Sequence, residues 1–576
     1  MGRAQPASSP IRFAAFELDL KTGELRRHGK KLTLQEQPFQ VLAALLEHPG
    51  QLVTRAQLQH KIWASDTFVD FDRGINKAIN RLRETLGDSA EHPAFIETLP
   101  RRGYRFIAPL EQTICSVAVL PLERLGDQRL EYWVDGMTDE LINHLAKTHG
   151  LTVISRTSVM RFKRDRQPVH DIARQLSVDA FVEGSVMIAG ENVRIRVQLV
   201  RSASDSPLWA ESYDGELADA ARLQDRVAED IARHVRSHLV LEDSTASATA
   251  RPVSGEAYEA YLKGRFFWNK RTEADMNRGV EYFKQATALE PEYSLAYCGL
   301  ADSYILMGVF ALCAPHEAYP LAKVAAERAL RFESDLPEAH AASAMVRLLY
   351  DWDWRGAERQ FQRAIELNPN YSFVHQQYAY LLAVLRRHEE AVTQVKRARE
   401  LDPLSLPVNA FVGFMHMKAG RCHEAIAACS EAIELDPGSP FGHWMLARAL
   451  DACEHFHEAL VESEKAASLS GDSQPYAAHL GYAHARNGDR AKARRVLSRL
   501  SELSKQKYVS PYDFAAVHAA LGDKDSAFGW LEKAYEQRVS RLTEITDPGF
   551  KTLRPDPRFR ALARRIGLPE STPGDN

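Results

Sequence analysis

The amino-acid sequence predicts a multidomain fold, with an α+β domain first, an α/β domain with a mixed sheet second, and an all-α superhelix last. The 576 residues are too many for one hydrophobic core. Strand-like and helix-like runs alternate up to about residue 240, and after residue 255 the chain is almost wholly helical. Between these regions, residues 241–255 are small and polar, which is typical of a flexible linker.

Composition narrows the possible functions. The whole chain carries a net charge of -4, but residues 1–110 carry +4, which favours nucleic acid as the partner of this first segment. No run approaches the ~20 apolar residues of a membrane span, and the first residues lack the apolar core of a signal peptide. We therefore expect a soluble, cytoplasmic protein with no membrane partner. The six cysteines show no metal-binding spacing, so we interpret them as buried thiols in a reducing compartment.

A short helix is predicted over residues 54–63. Thr54 and Gln57 have the spacing of a capping box, in which each side chain bonds the other residue's backbone N–H. A turn containing Asp66 and Asp70 follows. The pattern predicts a helix-turn-helix at this point.

The second helix, predicted over residues 72–88, has two distinct faces. One is an apolar stripe at helical spacing, and the other carries polar residues that suit base edges and phosphates. Two predicted strands, at residues 95–98 and 104–107, then enclose a basic turn suited to phosphate or minor-groove contact. The candidate DNA-binding residues are Arg73, Asn76, Lys77, Asn80, Arg81, Arg83, Arg101, Arg102, Tyr104 and Arg105.

Residues 11–110 resemble the OmpR/PhoB-type winged helix-turn-helix domain, most specifically in LVTRAQLQHKIW and in IETLPRRGYRFIAPL. The resemblance implies that residues 71–86 enter the major groove of double-stranded DNA and that the hairpin at 95–107 reaches the adjacent minor groove. Tandem half-sites, and with them a possible homodimer on DNA, would fit this family.

The individual positions of this domain match the pattern of the family only in part. Arg81 and Arg83 match positions that contact DNA in the family, whereas Asn80 stands where many relatives have Arg and Gly74 where they often have a bulkier residue. Only about ten residues precede the winged helix, so we expect no phospho-accepting receiver domain. The arrangement resembles the CadC- and ToxR-like regulators without their membrane span.

Residues 113–240 predict strands and helices packed as one mixed sheet with helices against it. LTVISRTSVM is interpreted as a strand. The segment resembles the TolB-N-terminal-like domain in SRTSVMRFK, VDAFVEGSV and LWAESYDGEL. Within it, Ser155, Arg156, Thr157 and Ser158 could bind an anion or could simply be structural.

Residues 256–540 contain a repeat of 34 residues. Pro369, Pro403 and Pro437 recur at that interval, each five residues after an Ala. A 34-residue unit of two helices with small residues at fixed crossings is the tetratricopeptide pattern, and about eight units are expected. The tail at 541–566 is expected to cap the last repeat.

The repeat array is expected to coil into a superhelix whose concave groove binds a protein, a peptide or a small ligand. The register places aromatic residues in that groove, although several of them could instead pack between helices. The candidate groove residues are Phe373, Tyr380, Phe414, Phe441, Trp444, Arg448 and Tyr482.

The sequence contains no phosphate loop and no hydrolase or metalloprotease signature, so no enzyme, cofactor, catalytic residue or metal site is predicted. Two functions remain open. The first is a transcriptional regulator that reads promoter DNA and senses a partner through the repeats. The second is a protein-assembly scaffold that is tethered to DNA by the winged helix.

Overall fold

The computed structural model describes most of the chain as two compact units. One contains the residues up to Cys115 together with residues 233–237, and the other contains residues 116–232 and the chain from 253 onward. The described residues are 11–20, 22–27, 30–63, 71–108, 110–111, 114–126, 130–163, 167–190, 192–203, 205–216, 220–237, 253–471 and 473–569. Along these ranges no helix combines the length and the apolar character needed to cross a membrane.

Two predicted features lie wholly or mostly outside the described residues. The turn with Asp66 and Asp70 lies outside the described residues. The same holds for the linker predicted at 241–255, except for its last three residues, where Ser254 caps the helix that begins at Gly255.

The first unit is an α+β domain. An antiparallel sheet in the order β4-β3-β2-β1-β8 and a small sheet in the order β5-β7-β6 pack around three described helices. The elements are β1 Ile11–Phe13, β2 Phe16–Asp19, β3 Glu24–Arg27, β4 Lys30–Leu32, α1 Glu36–Leu46, β5 Val53–Thr54, α2 Arg55–Ile62, α3 Phe71–Leu86, β6 Ile96–Leu99, β7 Gly103–Phe106 and β8 Leu110–Glu111.

Local sequence accounts for the helix boundaries of this domain. The predicted capping box is confirmed, because the Thr54 side chain accepts from the Gln57 backbone N–H while the Gln57 side chain accepts from the Thr54 N–H. At the other end, Gly87 adopts a φ of 70°, the left-handed conformation that favours glycine and ends α3. The core joins the two sheets, through Phe13 of β1 and Phe106 of β7, to the apolar face of α3.

The middle domain is an α/β mixed sheet with helices, as predicted. Strands β9, β10, β11 and β12 pair in parallel, and β12, β13 and β14 pair antiparallel. The elements are β9 Ser116–Val119, β10 Glu123–Gly126, α4 Glu131–Ala146, β11 Thr152–Val153, α5 Arg156–Met160, α6 Val169–Leu176, β12 Ala180–Ala189, β13 Asn192–Arg201, β14 Ser206–Glu216 and α7 Ala220–Ser237.

One element of the middle domain was predicted wrongly. Only Thr152–Val153 of the expected strand LTVISRTSVM pairs with a neighbour, and the rest turns into α5. The four residues from Ser155 to Ser158 begin this helix, so their backbone is used for helix formation.

Residues 253–569 form an all-α superhelix of eight antiparallel helix pairs. The helices are α8 Gly255–Trp268, α9 Glu273–Leu289, α10 Ser294–Val309, α11 Pro315–Phe332, α12 Pro337–Val346, α13 Trp354–Leu367, α14 Ser372–Val384, α15 His388–Leu401, α16 Leu406–Lys418, α17 Cys422–Leu435, α18 Pro440–Ala452, α19 Phe456–Leu469, α20 Gln474–Arg486, α21 Arg490–Leu503, α22 Pro511–Ala520 and α23 Lys524–Glu536. Two 3₁₀ segments, Ser540–Glu544 and Pro548–Leu553, and a last helix, α24 Pro557–Ile566, follow.

Small residues set the distance between the paired helices. The repeating alanines, such as Ala391, Ala425 and Ala459, are at most 2% exposed because a neighbouring helix crosses at each of them. At Gly413 in α16, an added Cβ would lie 2.9 Å from the backbone oxygen of Ala425 in α17. A larger side chain at this crossing would force the two helices apart.

The middle domain packs along the edge of the array formed by the loops between successive helix pairs. Asn370, in the loop before α14, donates to the backbone oxygens of Ala146 and Leu151 at 2.8 and 2.7 Å. One loop further, the Ser158 hydroxyl donates to Asp402 at 2.5 Å. These are two of the loops that carry the 34-residue proline markers. Ser158 is therefore structural, and the anion-binding alternative is not needed to explain it.

The cysteines depart from prediction. Cys422, at the start of α17, and Cys453, just after the end of α18, form a disulfide with a Cα–Cα distance of 5.7 Å. The two helices are antiparallel neighbours, which brings the start of one beside the end of the other. Among the described residues, Cys115 and Cys313 are only partly buried, so the expectation of six buried thiols was wrong.

Candidate nucleic-acid interface and repeat groove

Helix α3 turns its polar face away from the domain core. Ile75, Ile79, Leu82 and Leu86 are at most 2% exposed. On the other side of the helix five of the predicted residues are exposed, namely Arg73, Asn76, Lys77, Asn80 and Arg81. Three of them are cationic, so the helix presents a positive surface with amide groups between the charges.

Asn76 is held by a hydrogen-bond network that the sequence did not reveal. Its side-chain oxygen accepts from Arg55 at 3.1 Å and from the Tyr104 hydroxyl at 2.7 Å, and Arg55 also pairs with Asp72 at 3.0 Å. Because a guanidinium group only donates, the amide oxygen must face Arg55. The amide NH₂ of Asn76 is then the group left to face a ligand.

Two predicted contact residues are internal. Arg83 is 7% exposed and donates to the Ile96 backbone oxygen at 2.7 Å and to the Thr98 hydroxyl at 2.9 Å. Tyr104 is 3% exposed, and burial raises the pKa of its hydroxyl. Both were predicted as DNA contacts, and both instead join α3 to the hairpin of β6 and β7. Burial is the physical reason, because neither side chain is accessible to DNA.

The turn of this hairpin carries the exposed charges of the wing. Arg101 and Arg102 are exposed at its tip, whereas Arg105 is partly buried and pairs with Glu97 at 2.6 Å. Gly103 fixes the geometry, because an added Cβ would lie 2.1 Å from the Val53 backbone oxygen. The position tolerates only glycine, and the arginines before it are held at a fixed place relative to β5.

A segment of the chain itself lies against residues that were predicted to line the repeat groove. Residues 540–553, which we call the crossing segment, contact side chains from α14, α16, α18 and α22. The tail was predicted to be a cap on the last repeat. Only α24 behaves in that way, through the pairs Arg558–Asp525 and Arg565–Glu532 to α23.

The seven candidate groove residues have different surroundings. Tyr380 and Phe414 are buried beside the crossing segment, and Tyr482 is buried with its hydroxyl donating to Asp451 at 2.5 Å. Arg448 bonds the crossing segment directly. The remaining three are partly buried aromatic residues. The ring centroids of Phe441 and Trp444 are 5.8 Å apart, and the ring of Phe373 contacts that of Tyr371.

The structure adds two groove residues that sequence reasoning missed. Lys418 in α16 pairs with Asp547 of the crossing segment, and Asp513 in α22 pairs with Arg541 of the same segment at 2.9 Å. Lys418 lies four residues after Phe414 on the same helix face, and this spacing could have indicated it.

Family models match two parts of the chain. Residues 29–106 match the model described as "Transcriptional regulatory protein, C terminal", and residues 113–230 match "HilA/YgeH-like transcriptional regulator, second domain". The second match covers the region that resembles the TolB-N-terminal-like domain.

Some similar proteins match this chain over more than one domain. The transcriptional regulator HilA of Salmonella typhimurium is 24% identical over 400 residues, covering 68% of this chain and 70% of HilA. A protein named putative adenylate cyclase 3, from Rhizobium meliloti, is 34% identical over 151 residues, or 26% of each chain.

Among solved structures, the DNA-binding domain of RstA from Klebsiella pneumoniae, in complex with the RstA box, is 30% identical. The match covers 17% of this chain and 96% of that one, with a TM-score of 0.16. The OmpR/PhoB-type domain and the relation to CadC- and ToxR-like regulators, both predicted from the sequence, are confirmed, and the similarity to HilA was not predicted.

Proposed function

We propose that this chain, a transcriptional regulator with an OmpR/PhoB-type DNA-binding domain, reads promoter DNA with α3 and the β6–β7 hairpin and receives its signal through the repeat array. The observation that carries the proposal is the division among the arginines. Arg81, Arg101 and Arg102 are exposed, and Arg83 is buried between the helix and the hairpin that present them.

The proposed roles follow from this division. Arg73, Lys77 and Arg81 contact phosphates and base edges in the major groove, with Asn76 and Asn80 between them. Arg101 and Arg102 contact the backbone or the minor groove next to it. Arg105 is already paired with Glu97 and contributes less, and Arg83 and Tyr104 hold the two contacting elements together.

The regulator acts where the chromosome lies, so the cytoplasm is the proposed compartment. No catalytic role is proposed, because the long relatives are regulators and the adenylate cyclase match is confined to about a quarter of each chain. Binding as a homodimer on tandem half-sites remains a proposal based on the family likeness.

A binding-site selection with the full chain tests the proposal. We expect one enriched duplex sequence, bound with a salt-dependent affinity. Arg102→Ala should weaken binding and reduce the slope of log K against log salt concentration by about one unit. Arg26→Ala is the matched control, because Arg26 is an exposed arginine of the same domain on β3, paired with Glu24. Enrichment no greater than that of random DNA would exclude the function.

A further inference from the structure

The crossing segment lies in the repeat groove as a bound peptide would. It contains two short 3₁₀ turns in place of a repeat helix pair. Thr543 and Glu544 bond the Tyr380 hydroxyl in α14, at 2.6 and 3.2 Å. Phe550, six residues later, contacts Tyr512 in α22 with ring centroids 5.4 Å apart. The segment therefore spans the first helices of several consecutive pairs, which is the surface that repeat proteins use for extended ligands.

Two carboxylates anchor the segment. Glu544 and Asp547 both accept from Arg448 in α18, at 3.0 and 3.1 Å, and Asp547 also pairs with Lys418 in α16. The four side chains are 7–11% exposed. Burial acts to raise the pKa of Glu544, but Arg448, Arg541 and Lys418 outweigh it, so this pKa lies below its usual value.

The groove requires an acidic occupant. With the segment removed, Lys418 and Arg448 would remain as cations in a largely apolar setting, with Phe414 4.6 Å from the Arg448 guanidinium. An unpaired, poorly hydrated charge is strongly unfavourable. Water could reach the opened groove, but it would not replace two carboxylates fixed by geometry.

The occupant also needs an aromatic anchor. Phe550 is 2% exposed and borders a cavity of about 70 Å³ that His479 and Tyr482 also line. Glu544, Asp547 and Phe550 are spaced by three residues each. The recognised pattern is thus acidic, two residues, acidic, two residues, aromatic.

We propose that the repeat groove is a peptide-binding site that the chain occupies with its own residues 540–553, and that its partner is an acidic segment of another protein with the same pattern. The partner and the crossing segment use the same Arg448 and Lys418, so they exclude each other. The inference rests on the proposed function, since it gives the chemistry of the signal that the array receives.

The experiment uses the full chain and a fluorescent synthetic peptide with the sequence of residues 538–556. The double variant Glu544→Ala, Asp547→Ala weakens the internal segment and leaves the groove intact. We expect it to bind the peptide at least 10-fold more tightly than the wild-type chain does. A peptide with Gln and Asn at the two acidic positions is the matched control and should not bind. No binding by a variant that keeps the wild-type circular dichroism and melting profile, or equal binding of both peptides, would overturn the proposal.

A second measurement covers the case of a variant that fails to fold. Hydrogen exchange on the wild-type chain with excess peptide should accelerate exchange at residues 540–553 while α16 and α18 stay protected. Unchanged exchange in the segment at saturating peptide would overturn the proposal. Neither measurement involves DNA, so failure here is distinguishable from failure of promoter binding.

Discussion

Arg81 and Arg83 are two residues apart on α3, and we expect their removal to affect different properties. Loss of Arg83 should lower the stability of the domain, and loss of Arg81 should weaken DNA binding. Arg83→Ala removes two hydrogen bonds from a buried cation, to Ile96 and Thr98. Bonds to a charged group contribute about 1.5–3 kcal/mol each, and the Ile96 carbonyl would lose a buried partner. The two bonds together give an expected loss of about 3–6 kcal/mol in the free energy of unfolding, a large share of the roughly 5–15 kcal/mol typical of a domain.

Arg81→Ala should leave stability unchanged and weaken DNA binding. Its side chain is 60% exposed and its contact with Glu84 is long, at 3.6 Å, so the pair is worth at most a few tenths of a kcal/mol. A base or phosphate contact, by contrast, contributes roughly 1–3 kcal/mol to binding.

The assay is urea unfolding of residues 1–112, followed by the fluorescence of Trp63, together with DNA binding by the same fragment. Trp63 is the only tryptophan in these residues and contacts Phe71 of α3, so its emission reports on this helix. Arg83→Lys, which keeps the charge but has fewer donors, should show an intermediate loss of stability. Equal stability of the two alanine variants, or a loss of stability in Arg81→Ala, would refute the reasoning.

Three further predictions concern single contacts. Gly103→Ala should destabilise the winged helix by more than 4 kcal/mol in the same unfolding assay, because the added Cβ would collide with the Val53 carbonyl, and soluble, stable protein would contradict it. Ser158→Ala should destabilise the junction of the middle domain and the array by about 1–3 kcal/mol, since the hydroxyl bonds Asp402, and unchanged hydrogen exchange at α5 would count against it. His479 has a pKa lowered to about 3, chiefly by burial and then by two nearby guanidinium groups. The unfolded chain takes up this proton below about pH 6.5, so stability is full above that pH and falls toward pH 3 by about 1.4 kcal/mol per unit. His479→Gln should lack this slope between pH 7 and 5 in urea unfolding, and parallel slopes would disprove the assignment.

Local periodicity predicted the elements of the fold well. The 34-residue spacing repeats along the chain, and the capping box at Thr54 and the apolar stripe of α3 depend on neighbours within one or two turns. Arg83 could have been placed correctly on the same basis, since it follows Leu82 and lies four residues after Ile79 on the inner flank of the helix.

The filled groove could not have been predicted in this way. The pair formed by Arg448 and Glu544 joins residues 96 positions apart. No periodic pattern records such a contact, because it depends on how the whole superhelix curves. The disulfide between Cys422 and Cys453 was partly predictable from the sequence. The two cysteines lie at the start of α17 and just after the end of α18, and these consecutive antiparallel helices bring the two positions together.

The two sets of contacts that bridge repeats have a consequence for how this protein can evolve. Solenoids commonly lengthen and shorten by duplicating or deleting whole units, because each unit touches only its neighbours. Here the middle domain holds the loops at Asn370 and Asp402 together, and the last part of the chain reaches back to Tyr380 and to Trp354, whose indole donates to the Gly567 carbonyl at 2.8 Å. A repeat inserted between the loops of Asn370 and Asp402 would move these two loops apart, and it would also move Tyr380 and Trp354 one repeat away from their partners in the last part of the chain. The number of repeats is therefore fixed by bonds that no single repeat contains.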